Sequence, residues 1–321
     1  MQADAALAGE YPIDRSAFGS REPALVWAAT IGCRVPRTSC QGRVDAVFAH
    51  TCNVALATGG LVTVLAHHAG DVAHGIRLAR DQRLRHGLRP GMPASINRDR
   101  VNFNGGTLTV MLSAARIWTP ELQAGMCGGS GRAWRAASHV RRLLCTHAAD
   151  CGSEFLGSVL DLAQPATPLA ARISAMLPRF AKAVRARERT EALSLIARFI
   201  GLGPGLTPAG DDFVVGWLAG LTLCANTPAE LDFLQAMCAG VADVRHTTTS
   251  VSRQHLEDAC ALLFSRRLSD VCVAIAQGES KPELALRVSA QIAVGATSGA
   301  DAAAGLLFAL FECGSMGRRS G

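Results

Sequence analysis

Apolar residues in the first part of the chain come in short, β-branched runs punctuated by glycine. "VDAVFAH", "CNVALAT" and "LVTVLAH" read as strands, and Thr58-Gly59-Gly60 supplies a hairpin turn between the last two. A second hairpin is predicted at "VNFNGGTLTVML", turning at Asn104-Gly105-Gly106, and "HGIRLA" is a further strand candidate between the two. The stretch from Asp81 to Arg100 carries Pro90, Gly91 and Pro93 and reads as an irregular loop.

From about Ser130 the apolar period becomes helical. "WRAASHVRRLLCTHA", "ARISAML" and "TEALSLIARFI" are predicted helices, with Pro178 breaking the second. "TPAELDFLQAMCAGVADV" carries a full start signal: Thr227 as N-cap, Pro228 in the first helical position and Glu230 completing a capping box. "SVSRQHLEDACALLFSRRL" and "KPELALRVSAQIA" are further helices. "SGADAAAGLLFALF" is the last, with Ser298 and Asp301 forming another capping box. Strands first and helices afterwards predict an α+β fold, with a β-rich N-terminal domain over 1–128 and a helical domain over 129–321.

Composition narrows the class. Of 321 residues, 49% are hydrophobic and 18% charged, which is globular and far from disorder. The net charge of +6 is carried almost wholly by arginines dispersed among acids, since Lys182 and Lys281 are the only lysines. The densest basic stretch, Gly131 to His147, lacks the length and the aromatic interleaving of a nucleic-acid surface and reads as a solvated helix face. The eleven cysteines form no C-x-x-C pair and read as reduced, mostly buried thiols. The N-terminus carries early acids and no apolar core, unlike a signal peptide. The longest uncharged apolar run, Phe213 to Ala225, falls short of the roughly 20 residues that cross a bilayer. A cytoplasmic protein without a membrane span is expected.

The candidate chemistry sits in "GLGPGLTPAGDDFVVGWLAGL", Gly201 to Leu221. Gly205 to Gly210 matches the first half of a nucleotide P-loop, but Asp211 and Asp212 stand where a lysine and a hydroxyl are needed, so that reading fails. The spacing of a dinucleotide fingerprint fails as well, because Leu206 occupies its third glycine position. Locally, Thr207 and Pro208 read as N-cap and first-turn proline, and acids in a first turn complement the helix dipole. Capping explains one aspartate. Adjacent residues point about 100° apart on a helix that is apolar on all sides, so one of the two carboxylates is expected to be buried and to need donors, a cation or a substrate.

"TSGADAAAGLLFAL" partly repeats this pattern, with Asp301 and Gly305 at the same offset as Asp212 and Gly216. A glycine one turn below an aspartate lets another backbone approach. Two such helix starts facing one another would offer free N–H groups to an anion, with aspartates left to orient an amide, an arginine or a Mg²⁺ ion. Between them, His246, Thr247 to Thr249 and Ser250 precede a helix and are either N-capping hydroxyls or part of the site. His255 on that helix reads as a packed or exposed residue. No Ser/His/Asp elbow and no H-E-x-x-H motif is present.

The turn, followed by "TTTSVS" and then "GATSGADAAAGLL", resembles a bacterial family typified by the AllH-type subunit of oxamate carbamoyltransferase, over roughly Arg198 to Leu310. The N-terminal half is similar more loosely, through the hairpin around Asn53, "HGIRL" and the strand leading to "ARIWTPEL". The resemblance implies carbamoyl transfer in ureide catabolism, as in anaerobic allantoin degradation. Carbamoyl phosphate or oxamate would be the small anionic substrates, and other protein subunits would be partners. It carries over Asp211, Asp212 and Asp301 as catalytic candidates and Gly203, Gly205, Thr207 and Ser298 as substrate-binding ones. Thr248 from the hydroxyl cluster and Asn53 complete the candidate site. Ala209 and Ala296 depart from the family pattern, standing where a serine and a histidine are expected. Carbamoyl transfer asks for an anion cradle and donors to the carbamoyl oxygen, which helix starts supply. Two alternatives stay open: a non-catalytic subunit that packs Gly216, Trp217, Gly220 and Leu221 against a partner, and a Mg²⁺ enzyme with Asp211, Asp212 and Asp301 as ligands.

Overall fold

The structure is a computed structural model that describes residues 24–316, apart from 81–83, 85–86, 129 and 163–164. The acid-bearing N-terminus read against a signal peptide lies outside the described residues. Among the described residues nine strands come first: β1 (Ala24–Gly32), β2 (Cys40–Val47), β3 (Thr51–Leu56), β4 (Leu61–Leu65), β5 (Gly75–Leu78), β6 (Pro93–Ile96), β7 (Arg100–Phe103), β8 (Leu108–Met111) and β9 (Arg116–Trp118). They form one sheet in the order β5-β4-β3-β2-β6-β7-β8-β1-β9, and a β5–β1 pairing closes it into a barrel. Closure pairs the edge of β5 and leaves only the three-residue β9 at an end of the sheet.

Both predicted hairpins are present. β3 and β4 pair antiparallel with Asn53 opposite Thr63, and β7 and β8 pair around Asn104 to Gly106. The barrel fills with small and β-branched side chains, among them Val54, Val62, Val64, Ile76 and Val101, all fully buried. The stretch from Asp81 to Arg100 is not wholly loop: it holds β6, which pairs with β2 and β7. Pro93 opens that strand, a position where its missing N–H costs little. β2 carries a register shift between Val44 and Ala46, a bulge that re-aims Asp45.

Ten helices follow among the described residues: α1 (Ser130–Cys151), α2 (Glu154–Leu160), α3 (Pro168–Ala186), α4 (Arg189–Phe199), α5 (Ala209–Cys224), α6 (Pro228–Val244), α7 (Ser250–Cys260), α8 (Arg266–Gln277), α9 (Lys281–Ile292) and α10 (Ser298–Met316). The α+β class is as the pattern predicts. Pro178 does not break its helix, because α3 runs through it. Ile173, Met176 and Leu177 before the proline and Phe180 and Val184 after it are buried, which outweighs a cost of about 3 kcal/mol. "SVSRQHLEDACALLFSRRL" is two helices rather than one: Leu262 takes a left-handed φ of 61°, and α8 restarts under the cap of Ser265. The capping box of Thr227 and Glu230 forms as expected.

α5 is apolar all round because it is the centre of the helical part. Phe155 stacks on Phe213 at 4.6 Å and Phe180 on Phe308 at 5.4 Å, with Trp217 fully buried beside them. α5 and α10 pack in parallel, each through a glycine. A Cβ on Gly216 would lie 1.8 Å from the Ala302 carbonyl, and one on Gly305 would lie 2.0 Å from the Phe213 carbonyl. Only bare backbone allows that approach, and it brings the two helix starts side by side. The polar link between the two halves of the chain includes Asp71, which takes donors from Thr30, Arg77 and Arg266. Burial opposes its charge, but those donors hold its carboxyl below the usual aspartate range.

Candidate functional site

The path from α4 to α5 is built on three left-handed glycines: Gly201, Gly203 and Gly205 have φ of 76°, 114° and 97°. Other residues adopt that backbone only under strain. The consequence is a loop whose amides point away from any partner in the chain. Among the described residues, the N–H groups of Gly203, Gly205, Leu206 and Thr207 donate to no backbone or side-chain acceptor, and the same holds for Thr297 and Ser298 at the start of α10. The loop is also open to solvent, with Pro204, Gly205 and Leu206 exposed.

The helix begins one residue later than expected. Pro208, not Thr207, occupies the N-cap position and makes no side-chain cap. Thr207 is thereby released, and its hydroxyl meets that of Ser298 at 2.7 Å. Ser298 is likewise the first residue of α10 rather than its cap, and Asp301 does not close a capping box with it. The Asp301 carboxylate turns instead to α2, where Oδ1 accepts from Ser153 at 2.5 Å. Ser153 is itself the N-cap of α2.

The adjacent aspartates have different surroundings. Asp211 is 1% exposed and fully engaged: Oδ1 accepts from the Gly201 amide at 2.8 Å and Oδ2 from the Thr248 hydroxyl at 2.5 Å. Asp212 is partly exposed, yet its Oδ2 is enclosed and has no hydrogen-bond partner. Oδ2 of Asp301 and Oε2 of Glu154 are in the same state. Burial raises the pKa of Asp211. Burial raises Asp212 well above an ordinary aspartate, and the negative charges of Asp301 and Asp211 add to that despite the nearby Ser298 and Thr207 hydroxyls. Burial pushes Asp301 up to about 6, against the Ser153 and Thr297 hydroxyls. Carboxyls with separated proton affinities at one place can supply both an ionised and a neutral acid near pH 7.

Four helix starts are thus tied together by side chains: α5 and α10 through Thr207 and Ser298, α10 and α2 through Asp301 and Ser153, and α5 and α7 through Asp211 and Thr248. Of these, the starts of α5 and α10 meet beside the open loop, where the positive end of a helix favours an anion. Thr249 caps α7 and also donates to the Leu206 carbonyl at 2.5 Å, fixing the loop from the other side.

Asn53 is not joined to this cluster by a hydrogen bond among the described residues. It is buried in the barrel, where Oδ1 accepts from Thr63 at 2.9 Å. Thr248 is present, but its hydroxyl is committed to Asp211. Ser153 and Glu154 went unread in the sequence. The N-cap signal of Ser153 is local, but nothing local links it to an aspartate 148 residues away. His255 packs its ring against His74 at 5.1 Å, and burial depresses its pKa to about 4. Trp217 and Leu221 lie in this chain's own core, and Gly216 and Gly220 pack against α10, so none of the four offers a surface to a partner. Among the described residues, no group of three or more His, Cys, Asp or Glu side chains is placed to hold a metal ion, and no helix is long and apolar enough to cross a membrane.

Residues 199–310 match the family model of the oxamate carbamoyltransferase subunit AllH, and residues 26–117 match that of the AllH family N-terminal domain. No solved structure matches the chain.

Proposed function

The chain belongs to the AllH family, named for a subunit of oxamate carbamoyltransferase, and from that premise we propose that the glycine turn and Asp212 form the part of a carbamoyl-transfer site that this subunit contributes. A subunit of such an enzyme works with other protein chains. The observation that carries the reading is the row of unpartnered amides at Gly203, Gly205, Leu206 and Thr207 beside Asp212, whose enclosed Oδ2 has no hydrogen-bond partner. Carbamoyl phosphate and oxamate each have an anionic end and an amide end. The loop amides hold the phosphate or the carboxylate, as preorganised N–H donors do without reorganisation.

In the transfer, the oxamate amide nitrogen attacks the carbamoyl carbon. A C–N bond forms, the bond from that carbon to the phosphate oxygen breaks, and the proton lost from nitrogen leaves with phosphate. Asp212 keeps its proton more tightly than an ordinary aspartate. Its O–H donates to the departing oxygen while its carbonyl oxygen accepts from the substrate N–H, so one neutral carboxyl orients both reactants. Asp211 serves the loop instead, by holding the Gly201 amide.

Calorimetry of the purified chain with inorganic phosphate, carbamoyl phosphate and oxamate tests this reading. All three are expected to bind, with Gly205→Val weakening all of them. Asp212→Asn is expected to lower turnover in the assembled enzyme about a hundredfold or more. Full turnover by the Asp212→Asn enzyme, or unchanged phosphate affinity in the Gly205→Val chain, removes the assignment.

A further inference from the structure

The candidate site lies wholly in the helical half, which leaves the barrel without a part in it. α7 supplies one. Its residues fall on two polar sides. Thr248, just before the helix, holds Asp211, and Thr249 holds the Leu206 carbonyl. On another side, Ser250, Gln254 and Asp258 recur every fourth residue, which places them in one stripe. Every member of that stripe meets the barrel. Ser250 donates to Asp45 at 3.2 Å, where the β2 bulge presents it. Gln254 accepts from the Leu61 amide at 3.0 Å, just after the β3–β4 turn. Asp258 meets the His74 Nδ1 at 2.6 Å, next to β5, and Arg34 stands 3.7 Å from its other oxygen.

The stripe is internally braced, since the Gln254 Nε2 donates to Asp258 at 3.2 Å. Gln254, Asp258 and His74 are all buried, so each loses its hydration on docking and needs these partners. A buried polar chain of this kind fixes register, because sliding the helix by one residue would strand every member. Apolar packing alone would tolerate such a slide.

We propose that the barrel acts as a positioning domain for the site: through His74, Asp258 and Gln254 it sets the register of α7, and so places Thr248 against Asp211 and Thr249 against the turn. These are positioning residues, and none of them touches the ligand. The ligand arm of the test rests on the functional reading above, and the exchange arm does not.

The test compares the wild-type chain with His74→Leu, Gln254→Leu and His74→Asn, the last of which returns an N–H donor close to the place of Nδ1. Amide hydrogen exchange of the ligand-free chain is read at Gly201, whose N–H is held by Asp211, and at interior amides of α10. The expected result is exchange at Gly201 faster by about tenfold in both leucine variants, unchanged α10 amides, and recovery in His74→Asn. Exchange at Gly201 that stays at the wild-type rate, or that rises only together with α10 as general destabilisation would produce, overturns the proposal. Phosphate affinity measured on the same proteins should fall about tenfold in the leucine variants and recover in His74→Asn. If the wild-type chain binds no phosphate, the functional reading fails, and the exchange result still decides whether α7 transmits register from barrel to turn.

Discussion

The crossing of α5 and α10 gives a demanding stability prediction. Replacing Gly216 with alanine puts a methyl group 1.8 Å from the Ala302 carbonyl oxygen, whereas ordinary contact begins at 3.4 Å. The obstacle is backbone on both sides, so no rotamer change relieves it. The two helices must separate along a seam that also holds Phe213, Trp217 and Leu306, all buried. Overpacking of this kind costs about 3 kcal/mol or more, and alanine recovers about 1 kcal/mol of helix propensity over glycine, for a net loss of about 2 kcal/mol. In a helical region of this size, that lowers the melting temperature by about 4 to 8 °C. Gly157→Ala in α2 is the control, since its added Cβ meets nothing within 4 Å and should stabilise by about 0.5 to 1 kcal/mol. Urea unfolding and calorimetry of both variants measure the contrast. If Gly216→Ala is as stable as Gly157→Ala, the close crossing is not there, and the side-by-side helix starts that build the site lose their cause.

The remaining predictions concern charge and capping. Raising Asp301 from 3.8 in the unfolded chain to about 6 in the fold means the folded state binds that proton more tightly, so its contribution is intact below pH 4 and is lost as pH rises through 6. Asp301→Asn escapes that loss. Its stability relative to wild type should improve by about 2 kcal/mol between pH 4 and pH 7 in urea melts, and a pH-independent difference would refute the burial argument. Thr227→Ala removes one half of an exposed capping box and should cost about 1 kcal/mol in the same melts; a change within error would show that the cap contributes nothing.

Elements with a strong local cause could be read from the chain. The "GG" hairpins, the Thr227 capping box and the all-apolar α5 each follow from residues within one turn of each other, and their backbone preferences survive into the fold. α5 and α10 could also be paired from the repeated Asp and Gly offset, because a glycine in an apolar helix has few uses besides close approach. Local signals failed where packing decided. Pro178 stays inside α3 because apolar residues on both sides of it are buried. β6 forms because β2 and β7 offer it partners. The one-residue shift at Pro208 turned an expected cap, Thr207, into a hydroxyl facing Ser298.

The sequence by itself determined that Asp211 and Asp212 stand at the mouth of a buried helix. Which of the two is spent on structure was decided only when α7 brought Thr248 to Asp211 across 37 residues, just as α2 brought Ser153 to Asp301 across 148. The physical reason is that a carboxylate's role depends on which donors reach it and how much water is left. Donors from distant segments have no trace in local periodicity, because only the assembled core sets their distance.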